Sequence, residues 1–150
     1  MIQVIPAKNA HAALLAEIHK AATVNPWDAE GFAAFLEKPT IHALLVMDKD
    51  EPLGFVLAQQ AADEAEILMI AVHPKAQRKG VGECLLVSVA KQIQSDGVSA
   101  LFLEVAEDNA PARALYDRCG FGEMGRRKNY YVRDGKEIDA LLLRLELSKP

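Results

Sequence analysis

Six consecutive residues, Gln77 to Gly82, place two cations and two glycines where an apolar stretch gives way to a helical pattern. Glycine lets the backbone come close to an anion, the first-turn N–H groups of a helix point at it, and the helix dipole favours its charge. Gln77, Arg78 and Lys79 form a collar around Gly80, Val81 and Gly82 that suits a phosphate or pyrophosphate. The chain has no G-x-x-x-x-G-K-[ST] loop, and Leu85 stands where the third glycine of G-x-G-x-x-G belongs. What remains is Q/R-x-x-G-x-G/A opening a helix directly behind a strand. Two other positions stand out. Glu104 is a lone carboxylate inside the apolar run ALFLEVA, and a charge in such a run needs either a partner or an outward face. Tyr116 follows Asn109 by seven residues, two helical turns, so both share one face.

These residues need elements to hold them. The strand before the loop, Glu64 to Val72, is apolar on both faces from Ile67 on, as a strand covered on each side is. Behind the loop, Val81, Leu85, Val89 and Ile93 recur every four residues, which predicts a helix from about Lys79 to Asp96 with Gly97 as its stop. Ala100–Ala106 is again a strand. Asn109 caps a helix that runs to about Arg118, with Pro111 in its first turn and Gly120 after its end. Upstream, a short strand at 1–5 ends at Pro6, and Asn9 is expected to cap a helix reaching about Ala22. Asp28 caps a second short helix. Ile41–Met47 and Leu53–Gln60 read as a hairpin around DKDE. Downstream, NYYV and EIDALLLRLEL pair around RDGK. The order β-α-α-β-β-β-α-β-α-β-β predicts an α/β domain with a mixed, mostly antiparallel sheet. One right-handed parallel crossover is expected between 64 and 106.

Length and charge narrow the partners. A chain of 150 residues sets a prior of one domain spanning 1–150. A net charge of -4 argues against broad attraction to nucleic acid or anionic membrane. No basic, apolar leader opens the chain and no apolar run approaches a membrane span, so a cytoplasmic protein is expected. His11, His19, His42 and His73, and likewise Cys84 and Cys119, lack metal-ligand spacing, so no metal is expected. A monomer is the default.

The stretches IAVHPKAQRKGVGECLL and LFLEVAEDNAPARALYDRCGF resemble two successive motifs of the GCN5-related N-acetyltransferase (GNAT) superfamily. The resemblance implies the GNAT fold, acetyl-CoA as donor, and a pyrophosphate on residues 77–82. It also implies a strand pair that splays to admit pantetheine. Backbone groups of Ile70, Ala71 and Val72 would line that arm, and Asn109 would bind near its end. It places a general base at Glu104 and a general acid at Tyr116, with the Val72 amide facing the developing oxyanion. Glu66, six residues before Val72, is the alternative base, at the place where histone-type members carry theirs.

NPW at 25–27 and RRKNYY at 126–131 are similar to segments of the ribosomal-protein alanine N-acetyltransferases, the RimI type. That likeness implies acetylation of a protein N-terminal α-amine, such as that of a ribosomal protein. Met69, Ala106 and Lys128 depart from the residues often seen there, which bears on peptide preference. Trp27, Tyr130 and Tyr131 are candidates to line a peptide groove, although only one of two adjacent strand tyrosines should face it. Arg127 is the candidate cation for substrate contact. Two rival readings keep the cofactor: acetylation of a small amine, and a non-catalytic acyl-CoA-binding module.

Overall fold

The computed structural model describes residues 2–147. Seven strands form one sheet: β1 (Ile2–Pro6), β2 (Ile41–Asp48), β3 (Glu51–Ala61), β4 (Glu64–Val72), β5 (Ala100–Ala106), β6 (Gly122–Arg133) and β7 (Lys136–Glu146). Four helices join them: α1 (Ala12–Ala22), α2 (Ala29–Leu36), α3 (Val81–Ser95) and α4 (Ala110–Arg118). The strand order is β1-β2-β3-β4-β5-β7-β6, and every pairing is antiparallel except β4 with β5. The expected element order and mixed sheet are found.

Side-chain alternation divides the core between the two faces of the sheet. On one face Leu44, Val56, Leu101, Leu103, Val105, Leu141 and Leu143 pack with Leu85, Leu86, Val89 and Ile93 of α3 and Tyr116 of α4. On the other, Leu45, Phe55 and Leu57 pack with Leu15 and Ile18 of α1 and Phe32 of α2. By the same alternation Phe102 and Glu104 belong to this second face.

Local chemistry sets the helix ends. Asp28 accepts from the Gly31 N–H at 2.9 Å, and Asn109 from the Ala112 N–H at 3.3 Å, as expected. Gly97 and Gly120 stand at φ 89° and 94° behind α3 and α4. Asn9 does not cap. A short 3₁₀ turn at Asn9–His11 precedes α1, the His11 ring accepts from the Lys8 N–H, and the Asn9 amide donates to Glu37. The last hairpin is also longer than expected, because β6 begins at Gly122 and takes in the whole basic run 126–128.

Candidate active site

The parallel pair β4–β5 stays in register for only three rungs, Glu64↔Ala100, Ala65↔Leu101 and Glu66↔Phe102. Past that point the strands part. β4 remains paired with β3 as far as Val72↔Gly54, and β5 with β7 as far as Ala106↔Ala140. Each therefore keeps one bare edge facing the gap. Antiparallel pairs alternate between residues that exchange hydrogen bonds and residues that do not. The His73 N–H donates to the Leu53 carbonyl at 2.8 Å, so Ala71 bonds to Phe55, while Val72 and Ile70 do not bond to β3. The N–H and C=O of Ile70 and Val72 thus turn into the gap. Ala71 is a correction: its backbone is committed to β3. The same count on β5, from Glu107 N–H to Asp139 O, turns the backbone of Glu104 and Ala106 toward the gap.

The glycine loop closes the wide end of this slot. Arg78 and Gly80 both adopt left-handed φ, 66° and 78°, and α3 starts at Val81 rather than Lys79. Unlike α2 and α4, α3 has no side-chain cap, so the first-turn amides are free of side-chain acceptors. Gln77, Arg78 and Lys79 are exposed around it, and Arg78 pairs with no acid among the described residues. Gly82 sits at a three-way junction. A Cβ there would lie 3.0 Å from Leu115 of α4 and 3.8 Å from Val72 of β4. Sequence reasoning missed Gly54, where a Cβ would meet Val81 at 2.9 Å and the Ala71 carbonyl at 3.0 Å. Its signal was a glycine inside a strand, a mark of close approach.

Tyr116 is 7% exposed, with its ring edge-on to Phe121. Among the described residues its hydroxyl has no hydrogen-bond partner, yet none of their enclosed side-chain N or O atoms goes unpartnered. The oxygen therefore opens to the surface. Burial, with a smaller contribution from Cys119, pushes the phenol up to about 12. Asn109 spends its side-chain oxygen on the cap and keeps its Nδ2 for another acceptor.

Glu104 is 23% exposed and has two neighbours from β6. The Tyr131 hydroxyl donates to Oε1 at 3.4 Å, and Arg127 Nε stands 3.3 Å from Oε2. Burial, and then the Glu104 charge, raise the Tyr131 phenol. Tyr130 is exposed, with the Arg127 guanidinium 5.4 Å from its ring centre. As expected, only one of the two tyrosines reaches inward. Glu66 is exposed at the last paired rung, in an open cleft shared with Gln59, Glu64, Phe102 and Met124. Trp27 is 37% exposed and stacks on Phe35 at 4.9 Å, and its backbone N–H donates to His19 Nδ1 at 2.9 Å.

Among the described residues no cluster of His, Cys, Asp or Glu could hold a metal, and no helix is long and apolar enough to cross a membrane. The model of the acetyltransferase (GNAT) family matches residues 12–121. A ribosomal protein bS18-alanine N-acetyltransferase of Haemophilus ducreyi is 35% identical over 134 residues, 89% of this chain and 92% of its own. The crystal structure of the ribosomal-protein-S18-alanine N-acetyltransferase from Escherichia coli superposes with a TM-score of 0.91 at 30% identity, covering 100% of this chain and 96% of that one. Arabidopsis thaliana NAA60, solved with acetyl-CoA, shares the fold, with a TM-score of 0.82 at 21% identity over 98% of this chain and 99% of its own. The chain belongs to the acetyltransferase (GNAT) family, and within it resembles the ribosomal-protein alanine N-acetyltransferases.

Proposed function

We propose that residues 1–150 form one catalytic domain that moves the acetyl group of acetyl-CoA to the α-amine of a protein N-terminus. The relatives acylate an N-terminal alanine of ribosomal protein bS18, and that terminus is the first acceptor to test. Such an acceptor fits a cytoplasmic enzyme that works as a monomer. The observation that carries the reading is the parting of β4 and β5 beneath an uncapped helix N-terminus, with Glu104 on one wall.

Acetyl-CoA supplies an acyl thioester. The amides of Gly80, Val81 and Gly82, with Gln77, Arg78 and Lys79 beside them, bind its pyrophosphate. The bare edge at Ile70 and Val72 pairs with the pantetheine arm as an added strand would, and Asn109 Nδ2 holds its far end. The Val72 N–H then faces the carbonyl oxygen where charge develops. Glu104 takes the proton of the attacking amine, and the Tyr116 hydroxyl donates to the departing sulfur. Trp27, Tyr130 and Tyr131 flank the acceptor's path. An α-amine with a pKa near 7.7–8.0 is roughly one-tenth neutral at pH 7, against fewer than about one lysine in a thousand. One partly exposed carboxylate is a sufficient base for an N-terminus.

Release of free coenzyme A tests this with three acceptors side by side. These are a peptide with a free N-terminal alanine, the same peptide blocked but carrying an internal lysine, and a set of polyamines and amino acids. Turnover on the first alone is expected. Turnover confined to small amines would overturn the acceptor. Glu104→Gln should lose turnover and keep acetyl-CoA binding, while Glu66→Gln keeps both. The reverse pattern would move the base to Glu66.

A further inference from the structure

Glu104 is engaged at both carboxylate oxygens by residues four apart on one strand, Arg127 and Tyr131. In a regular strand four residues span about 13 Å, too far to converge on one carboxylate. β6 is not regular there. Arg127 pairs with Ala140 and Tyr131 with Ile138, so four residues of β6 advance against only two of β7. The two extra residues form a bulge that brings Arg127 and Tyr131 to about 7 Å along the strand, on the same face. The bulge is tied down from behind. Asn129 takes φ 55°, its N–H donates to Asp139 Oδ1 at 2.9 Å, and Arg126 meets Asp139 Oδ2 at 2.9 Å.

Arg127 also has a clear path. Glu104 lies two strands away, and on the rung of Arg127 the intervening β7 residue is Ala140, with Ala106 beyond it. A guanidinium can cross a methyl group to reach Glu104, while a larger side chain on that rung would block it. The other charged groups on this face flank Glu104 without touching it. Arg144 lies over Phe102 at 5.6 Å, Arg133 over Tyr131 at 5.6 Å, and Glu66 pairs with Phe102.

We infer that Arg127 is a positioning residue for acetyl transfer: with Tyr131 it sets the plane of the Glu104 carboxylate, and it does not grip the acceptor. The inference rests on reading Glu104 as the base. A glutamate on a strand has three side-chain torsions, and a hydroxyl donor at one oxygen with a cation at the other holds the last of them. The cation is 57% exposed and lies against Tyr130, so its own position is set by contacts within β6.

Arg127→Ala, Arg127→Lys and Glu104→Gln, singly and as Arg127→Ala/Glu104→Gln, are assayed with the alanine peptide at saturating acetyl-CoA. Loss of orientation predicts that Arg127→Ala lowers kcat about tenfold or more, leaves the peptide KM within about twofold, and is partly rescued by Arg127→Lys. The double variant should be no slower than Glu104→Gln alone, because the arginine acts through the carboxylate. A raised KM with kcat retained would make Arg127 a substrate contact and overturn the inference. An unchanged kcat, or a double variant slower than Glu104→Gln, would overturn it too. A Glu104→Gln enzyme of normal rate would instead remove Glu104 as base. A slow Glu104→Gln beside a normal Arg127→Ala would sink the positioning role alone. Should Arg127→Ala not fold, Arg127→Met, which keeps the chain length but neither charge nor donor, takes its place with the same expected split.

Discussion

Tyr116→Phe removes one oxygen and tests what a buried phenol can do for a leaving thiolate. The hydroxyl bonds to nothing in the described protein, so its loss strands no partner, and the ring keeps its contact with Phe121. Tm should stay within about 2 °C of the parent. The effect on rate follows from the phenol's pKa of about 12, set first by burial. An ordinary thiol titrates near 8.5, so complete proton transfer from Tyr116 to the sulfur is uphill by roughly 3–4 units, on the order of 5 kcal/mol. In the proposed reaction Tyr116 therefore acts as a hydrogen-bond donor to the developing thiolate, and the net proton comes from the amine through Glu104. A hydrogen bond to a charged group is worth about 1.5–3 kcal/mol, so Tyr116→Phe should lower kcat by about 10- to 100-fold with acetyl-CoA affinity kept. The sign of the shift sets the pH dependence. A phenol raised above its usual 10 stays protonated through the working range, so kcat of the parent should show no alkaline break near pH 10 attributable to Tyr116. Stopped-time assays of coenzyme A release between pH 7 and 10.5 would read this. An alkaline limb with a midpoint near 10 that vanishes in Tyr116→Phe would refute the argument, as it would mean an ordinary, solvated phenol acting as a true acid.

Two further predictions come from other parts of the molecule. Gly80 and Gly82 should fail differently: Gly80→Ala meets no protein atom within 4 Å but must hold φ 78°, costing about 1–2 kcal/mol and a few degrees of Tm. Gly82→Val drives into Leu115 and Val72 at the slot, so acetyl-CoA KM should rise about tenfold while peptide KM holds, and an unchanged acetyl-CoA KM would contradict the junction. His19 is buried and accepts the Trp27 backbone N–H, and burial lowers its pKa below 6.5. The unfolded chain then takes up the proton first, so His19 contributes stability that is present above pH 6.5 and lost as pH falls through the lowered value. His19→Asn, which keeps an acceptor but not the titration, should flatten the fall in Tm between pH 7.5 and 5, and identical slopes in the two proteins would sink the assignment.

The parts of this fold that were legible share one property: each carries its signal within a few residues. Asp28 and Asn109 stand one residue before their helices, Gly97 and Gly120 follow theirs, and the apolar run of β4 marks a strand, although the cover expected on both of its faces is not found: Leu68 is exposed and Met69 to Val72 are only half-buried beside the gap. The glycine turn ahead of α3 was legible for the same reason. Asn9 misled because an equally local competitor won: the Lys8 N–H and the His11 ring satisfy each other, and the helix starts one turn later. Ala71 misled because the direction of a strand's backbone groups depends on its partner's register, which no residue of β4 encodes alone.

The bulge of β6 was hidden by a different cause. Hydrophobic alternation marks a strand only where one face is buried, and β6 is an edge strand exposed along almost its whole length. Arg126 to Lys128 therefore fall outside the expected strand, and NYYV reads as a short strand that starts too late. Two clues do survive in the sequence. Asn129 is of a type that tolerates the left-handed region, and Asp139 is the acid directly before the apolar run of β7. Neither says that Arg127 and Tyr131 will meet at Glu104, because that meeting spans three strands: the bulge on β6, the small Ala140 on β7 and the carboxylate on β5. The sequence therefore exposes the groups proposed to bond directly to cofactor and acceptor, each with its own local signal. It conceals the group proposed to aim the base, whose position is set by the pairing of strands up to about 40 residues apart and by an irregularity in one of them.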